Sequence, residues 1–185
     1  YNAVEAEVYA MAMLITSAMF WLGLRWEEDM LKPRGDRWLV LIAFLIGLSF
    51  GVHFMGLLTV PAIGMLFYFK HYPFSWKSFV VANLVSVAIL LFIFKLLLPL
   101  TLAYFGNAEV FFVNSFGLPF NSGTIIAGLS ILAFFIWGLR FTQQKKWVQA
   151  NTGLWCVVFV LVGFSSWIML PIRANANTGI NENAP

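Results

Sequence analysis

Charge is what this chain has least of. Only 10% of its 185 residues are Asp, Glu, Lys or Arg, where a soluble domain carries about 25%. The net charge of +3 is too small to suggest a nucleic-acid partner. Cysteine is nearly absent. The single Cys156, inside an apolar run, excludes an intrachain disulfide and a cysteine metal site, and it leaves the redox compartment open. There is no Gly-rich phosphate loop, no His/Glu metal motif and no Ser/His/Asp arrangement, so no resident cofactor is expected, and any need for a metal stays open. What fills the chain instead is apolar: 61% of residues are hydrophobic and 18% aromatic. Several runs approach or exceed the roughly 18 residues that mark a membrane-spanning helix. With no water in the bilayer core to satisfy a free backbone, such runs must be helical. The expected fold class is therefore all-α, a polytopic membrane helical bundle with the lipid bilayer as its first partner.

The spans are read from the charges between them. A first span covers about Val8 to Leu24, after a short lead with Glu5 and Glu7. A loop charged in both signs follows, from Arg25 to Arg37, with Pro33 and Arg34-Gly35-Asp36 as turn formers and Trp26 and Trp38 as headgroup-level markers. The stretch from Trp38 to Phe69 then runs about 32 residues without an acid, Lys or Arg. As one helix it would measure roughly 48 Å, too long for one span across a core of about 30 Å and too short for two. Gly47, Gly51, His53, Gly56 and Pro61 punctuate it. Later spans are placed at about Phe79–Leu98, closed by Pro99, at Gly123–Gly138 and at Gly153–Leu170. Between the first two of these lies an amide- and aromatic-rich segment, Leu100 to Ser122, whose one charge is Glu109.

If residues 38–69 form two short helices meeting near His53–Gly56, nine basic residues (Arg25, Lys32, Arg34, Arg37, Lys70, Lys77, Arg140, Lys145 and Lys146) share one face. Only Lys95 and Arg173 remain towards the other. One continuous span would erase that bias. Lys/Arg excess marks the cytoplasmic side, which selects two short helices and six membrane segments in all. Residues 1–170 then read as a transmembrane helical domain and 171–185 as the start of a non-cytoplasmic polar loop. The opening YNAVEAEVYA and the closing INENAP read as those of a piece of a longer protein.

The remaining polar groups gather on the non-cytoplasmic face. His53 is either a packed ring satisfied by backbone or a donor to an anionic headgroup at the floor of a recess, since irregular backbone at that depth sits beside protein or water. Gly47 and Gly51 form a small-xxx-small pair, a weak signal that points to close helix packing. Glu5 and Glu7 would point to nearly opposite sides of a helix; Glu7, next to the span, is the better candidate, against a solvated helix-start carboxylate favoured by the dipole. Arg173 is a headgroup-facing snorkel or a phosphate partner, followed by Asn175 and further amides. Lys95 reads as a snorkelling side chain at its span's end.

The segments VEAEVYAMAML, RWLVLIAFLIGLSFGVHFMGLLTVPA, NSFGLPFNSG and PIRANANTGINENAP resemble the bacterial membrane-protein family known as domain of unknown function 2723. That family is similar to the protein O-mannosyltransferase transmembrane protein 260. The resemblance runs through nearly the whole chain, and the RAN…INEN.P tail is its most specific part. It implies a GT-C-type glycosyltransferase that takes a sugar from a polyprenyl-phosphate carrier and passes it to an exported protein acceptor, at the periplasmic face of the bacterial inner membrane. Glu7 of AEVY, His53 of GVH and Arg173 of PIRAN match the family pattern. On that reading Glu7 is the catalytic candidate, and His53, Arg173 and Asn175 are substrate-binding. The resemblance also implies that the principal carboxylate lies upstream of Tyr1. The competing reading is a non-enzymatic carrier or flippase of lipid-linked sugar. A purely structural subunit fits poorly with such polar outer segments.

Overall fold

Long apolar runs with few breakers leave helix as the main way to satisfy the backbone in lipid, and the described residues of the computed structural model form helices joined by short turns, with no strand among them. These are 3–169 and Ile172, with side chains described from residue 9 onward. Seven α-helices follow one another: α1 (Ala3–Asp29), α2 (Arg37–Ser49), α3 (Thr59–His71), α4 (Trp76–Leu91), α5 (Leu98–Phe116), α6 (Ser122–Gln144) and α7 (Val148–Phe164). A short 3-10 helix, Phe54–Leu58, leads into α3, and another, Ser165–Ile168, follows α7. A π-helical segment, Phe92–Leu97, joins α4 to α5 without a break. Four continuous stretches are long and apolar enough to cross a membrane: Phe54–His71, Trp76–Phe116, Ser122–Gln144 and Val148–Ile168. The apolar α2 has only 13 residues.

Two compact units divide the chain. Described residues up to Thr59 and from Phe159 onward form one, and Val60–Val158 form the other. In the first, glycine decides which backbones touch. A Cβ on Gly47 of α2 would fall on the Val160 carbonyl oxygen of α7 and 2.8 Å from the Phe164 nitrogen. Conversely, a Cβ on Gly163 would fall on the Phe44 carbonyl oxygen and 2.7 Å from the Leu48 nitrogen. Gly47 of the expected small-xxx-small pair is thus a packing residue, with Gly163 as its counterpart on α7, whereas Gly51 lies beyond the end of α2, where a Cβ would meet only Ser166 Oγ and Leu48 O. The connection from α1 to α2 is clamped by Asp29. Its carboxylate accepts hydrogen bonds from Lys32 Nζ (2.8 Å), Trp38 Nε1 (2.8 Å) and Arg37 Nη2 (3.3 Å). Arg37 also lies over the Trp38 ring, which meets Trp21 edge-on. The charged loop therefore starts one turn later than the sequence suggests, because α1 carries Arg25 to Asp29 as helix.

In the second unit the sequence expectation needs one larger correction. Pro99 does not close a span. It sits in the first turn of α5, and helix runs unbroken from Trp76 to Phe116. Inside an ordinary helix the proline ring would meet the Lys95 carbonyl four residues back and leave it without a donor. The wider turns of the π segment, ending at Leu97, reset that register just before the proline. Leu100 to Phe116, expected as part of a segment between spans, is helix for the same reason. It ends where Gly117 adopts a left-handed conformation, φ 64°, a C-cap that glycine fills without strain. Glu109 of α5 then secures the start of α6. It accepts from Asn121 N–H (2.6 Å), Thr124 N–H (2.7 Å) and Thr124 Oγ1–H (3.0 Å). These amides have no intrahelical acceptor. At the basic turn between α3 and α4, the buried Tyr68 hydroxyl pairs with Ser78 Oγ at 2.7 Å and accepts from Ser75 N–H at 3.2 Å.

Candidate functional site

The helix break expected near His53–Gly56 is present. α2 ends at Ser49, turns carry the chain through Phe50–Val52, and His53 is extended at φ −164°, ψ 141°. From Trp38 to Ser49 is a rise of about 17 Å at 1.5 Å per residue. That length is about half of a hydrocarbon core about 30 Å thick.

Irregular backbone there must find its own partners, and it does. Phe50 N–H donates to Gly47 O, Gly51 N–H to Leu48 O, and both Val52 and His53 N–H to Ser49 O, at 2.7–3.3 Å. Ser49 Oγ donates to Ile46 O at 2.7 Å, and Thr59 Oγ1 to Gly56 O at 2.6 Å. Both hydroxyls are buried. The break is a built element, with two side-chain hydroxyls supporting its flanks. Gly56 fits tightly between Ser49 and Met19: a Cβ there would lie 2.8 Å from Ser49 Oγ and 2.9 Å from Met19 Cε.

His53 holds the apex. Its Nδ1 accepts a hydrogen bond from Met55 N–H at 3.2 Å, capping the 3-10 helix. Its ring packs against Tyr9 of α1, centroids 5.7 Å apart. The side chain is half-buried. Beside it lies a run of aromatic rings, with Phe50 against Phe54 (5.6 Å) and Phe164 (5.8 Å), and Phe164 stacked on Trp167 (5.7 Å). Gly51 faces Ser166 Oγ.

Of the residues singled out from the sequence, His53 is thus placed in a defined setting. Glu7 lies in the first two turns of α1, but its side chain falls outside the described residues. Arg173 and Asn175 also lie outside them. Lys95 sits in the π segment, exposed, with its ammonium 5.0 Å from the Phe94 ring centroid. No group of three or more His, Cys, Asp or Glu is arranged to hold a metal among the described residues. Tyr9 is the site residue that sequence reasoning does not single out. An aromatic residue near a helix start at a membrane boundary is ordinary, and its meeting with His53, 44 positions later, is a tertiary fact.

The fold and the supported break define a polytopic helical integral membrane protein. Its residues 1–76 match the family described as protein O-mannosyl-transferase TMEM260 N-terminal domain. The matched range contains α1, α2, the His53 break and α3. It stops before the NSFGLPFNSG and PIRANANTGINENAP segments. No curated protein and no solved structure shows significant similarity to the chain.

Proposed function

We propose that this chain forms part of a membrane glycosyltransferase of the GT-C type. It would move a sugar, mannose by the family's description, from a polyprenyl-phosphate carrier to Ser or Thr of an exported protein on the non-cytoplasmic face. The observation that carries the reading is the coincidence of the family match with the break. The matched range holds a histidine at the apex of a helix interruption within an apolar run, and such interruptions in membrane proteins line cavities.

The reaction is a displacement at the anomeric carbon. The acceptor oxygen forms the new bond to that carbon, and the carbon–oxygen bond to phosphate breaks with the electron pair leaving on phosphate. A base takes the hydroxyl proton. Negative charge grows on the departing phosphate, and fixed donors stabilise it most where water is excluded. In this reading Arg173 and His53 face the phosphate, Asn175 contributes an amide to the same pocket, and Glu7 orients or deprotonates the acceptor. The apolar helix faces receive the polyprenyl tail. No metal or cofactor is invoked.

The test is sugar transfer from a lipid-linked donor by the full-length protein in proteoliposomes. Glu7→Gln, His53→Ala and Arg173→Ala should each lower transfer while the protein stays folded. Full transfer by all three variants would overturn the site assignment. A full-length protein that moves lipid-linked sugar across vesicles without transferring it would establish the carrier reading instead.

A further inference from the structure

His53 has two ring nitrogens, and the fold has already assigned one of them. Met55 N–H can only donate, so Nδ1, 3.2 Å away, must accept and carries no proton. The ring proton is therefore on Nε2, which has no hydrogen-bond partner among the described residues. Rotation of the ring would break the cap and leave the Met55 amide unpaired at depth, which is costly in lipid. Tyr9 packs against the ring and limits its tilt.

From this we infer that His53 is a ring-fixed hydrogen-bond donor, presenting Nε2–H to a ligand oxygen, with Tyr9 and the Met55 amide as the groups that hold its orientation. The inference rests on the transferase reading for the identity of the ligand, a phosphate or sugar oxygen of the lipid-linked donor. It deepens that reading by excluding a role. A nitrogen that already bears a proton accepts none, and the other is occupied by Met55. His53 is thus not the base that takes the acceptor's proton, and the base must be sought among carboxylates.

The test has a spectroscopic arm and a substitution arm, both on the full-length protein. In the first, the protein is labelled with 15N-histidine and reconstituted in nanodiscs. Comparison with His53→Asn assigns the resonances of His53. The expected pattern is an unprotonated Nδ1 and a protonated Nε2, with the Nε2–H signal displaced when a polyprenyl phosphate is added. A protonated Nδ1, or no displacement by the lipid, overturns the proposal even if transfer is active. The expected pattern and displacement in a protein that transfers no sugar would leave the donor role standing and overturn the transferase reading.

In the second arm, Asn and Gln separate the two ends of the ring. An Asn carbonyl still accepts from Met55 N–H but stops short of the Nε2 position. A Gln amide reaches that position but loses the cap. We expect His53→Asn to fold normally and lose transfer by about a hundredfold, the scale for removing one donor to developing charge. His53→Gln should retain more transfer than His53→Asn despite lower thermal stability. The reverse order would mean that the cap alone matters and would overturn the proposal.

Discussion

The closest backbone approach in the first unit offers a sharp quantitative test, Gly47→Ala. The added methyl would collide with the Val160 carbonyl and lie 2.8 Å from the Phe164 nitrogen, where ordinary contact begins near 3.4 Å. Both neighbours are backbone, so no side chain can swing aside; α2 and α7 must part. Overpacking of this kind costs about 1–3 kcal/mol, and a backbone obstacle belongs at the upper end. Against it stands the better helix propensity of alanine, about 1 kcal/mol. The net expectation is a loss of about 2 kcal/mol, roughly a 30-fold fall in the folded-to-unfolded ratio. Gly106 and Gly153 are also helical and have nothing within 4 Å of a built Cβ. Gly106→Ala and Gly153→Ala should therefore be neutral or gain up to about 1 kcal/mol. Denaturation by SDS in mixed micelles, followed by circular dichroism, ranks the three. If Gly47→Ala is tolerated as well as Gly106→Ala, the helix contact is misassigned. Gly163→Ala should resemble Gly47→Ala. The double variant should cost less than the sum, because helices already parted admit the second methyl.

Three further outcomes follow from other contacts. Asp29 has its carboxyl pulled from an ordinary 3.8 to about 2, first by the Lys32 hydrogen bond and then by the Trp38 indole. A depressed carboxyl stabilises above its unfolded value and ceases to as pH falls through the folded one. The Trp38 indole N–H resonance should therefore hold its position from neutral pH down to about 4 and move only as pH approaches 2; movement complete by pH 4 would contradict the clamp. Glu109→Gln should speed amide exchange at Asn121 and Thr124, with little change in the middle of α6, since its carboxylate holds those two N–H groups. For sidedness, single cysteines placed at Ser75 and Asn107 in a Cys156→Ser background should react from opposite faces of the membrane, because about 48 Å of helix separates them, against a core of about 30 Å. Labelling from one face would mean that the chain folds back at the π segment.

The two prolines that punctuate long apolar runs show where sequence reading succeeds and where it stops. Pro61 lies in the first turn of α3, just after the 3-10 helix Phe54–Leu58 gives way to α-helix. Its neighbourhood announces a break at several levels. Gly51 and Gly56 weaken helix, His53 supplies a side-chain acceptor for the next turn, and Ser49 and Thr59 carry hydroxyls that donate to the buried Ile46 and Gly56 carbonyls. The uneven placement of Lys and Arg independently required the chain to turn there. Several local signals agreed, so the break was legible.

Pro99 stands alone. Leu96, Leu97, Leu98 and Leu100 surround it, with no cap residue before it and no glycine, and the one hydroxyl nearby, Thr101 Oγ1, donates to Leu97 O at 2.7 Å rather than to the Lys95 carbonyl four residues back from the proline. In water such a proline ends a helix, because water satisfies the groups it releases. In lipid nothing would satisfy them, and the lower-energy course is to keep the helix and widen it. The π segment does so, and it has no residue signature of its own. The same physics explains why Tyr9 and Gly163 stayed hidden. Each matters only through its partner in the folded chain, His53 for one and Phe44 for the other, and pattern along the sequence carries no information about which apolar face meets which. A proline in a membrane run thus predicts a break only when the residues around it can take over its lost hydrogen bonds. By that criterion the chain contains one such place in its apolar interior among the described residues, and His53 is at its apex.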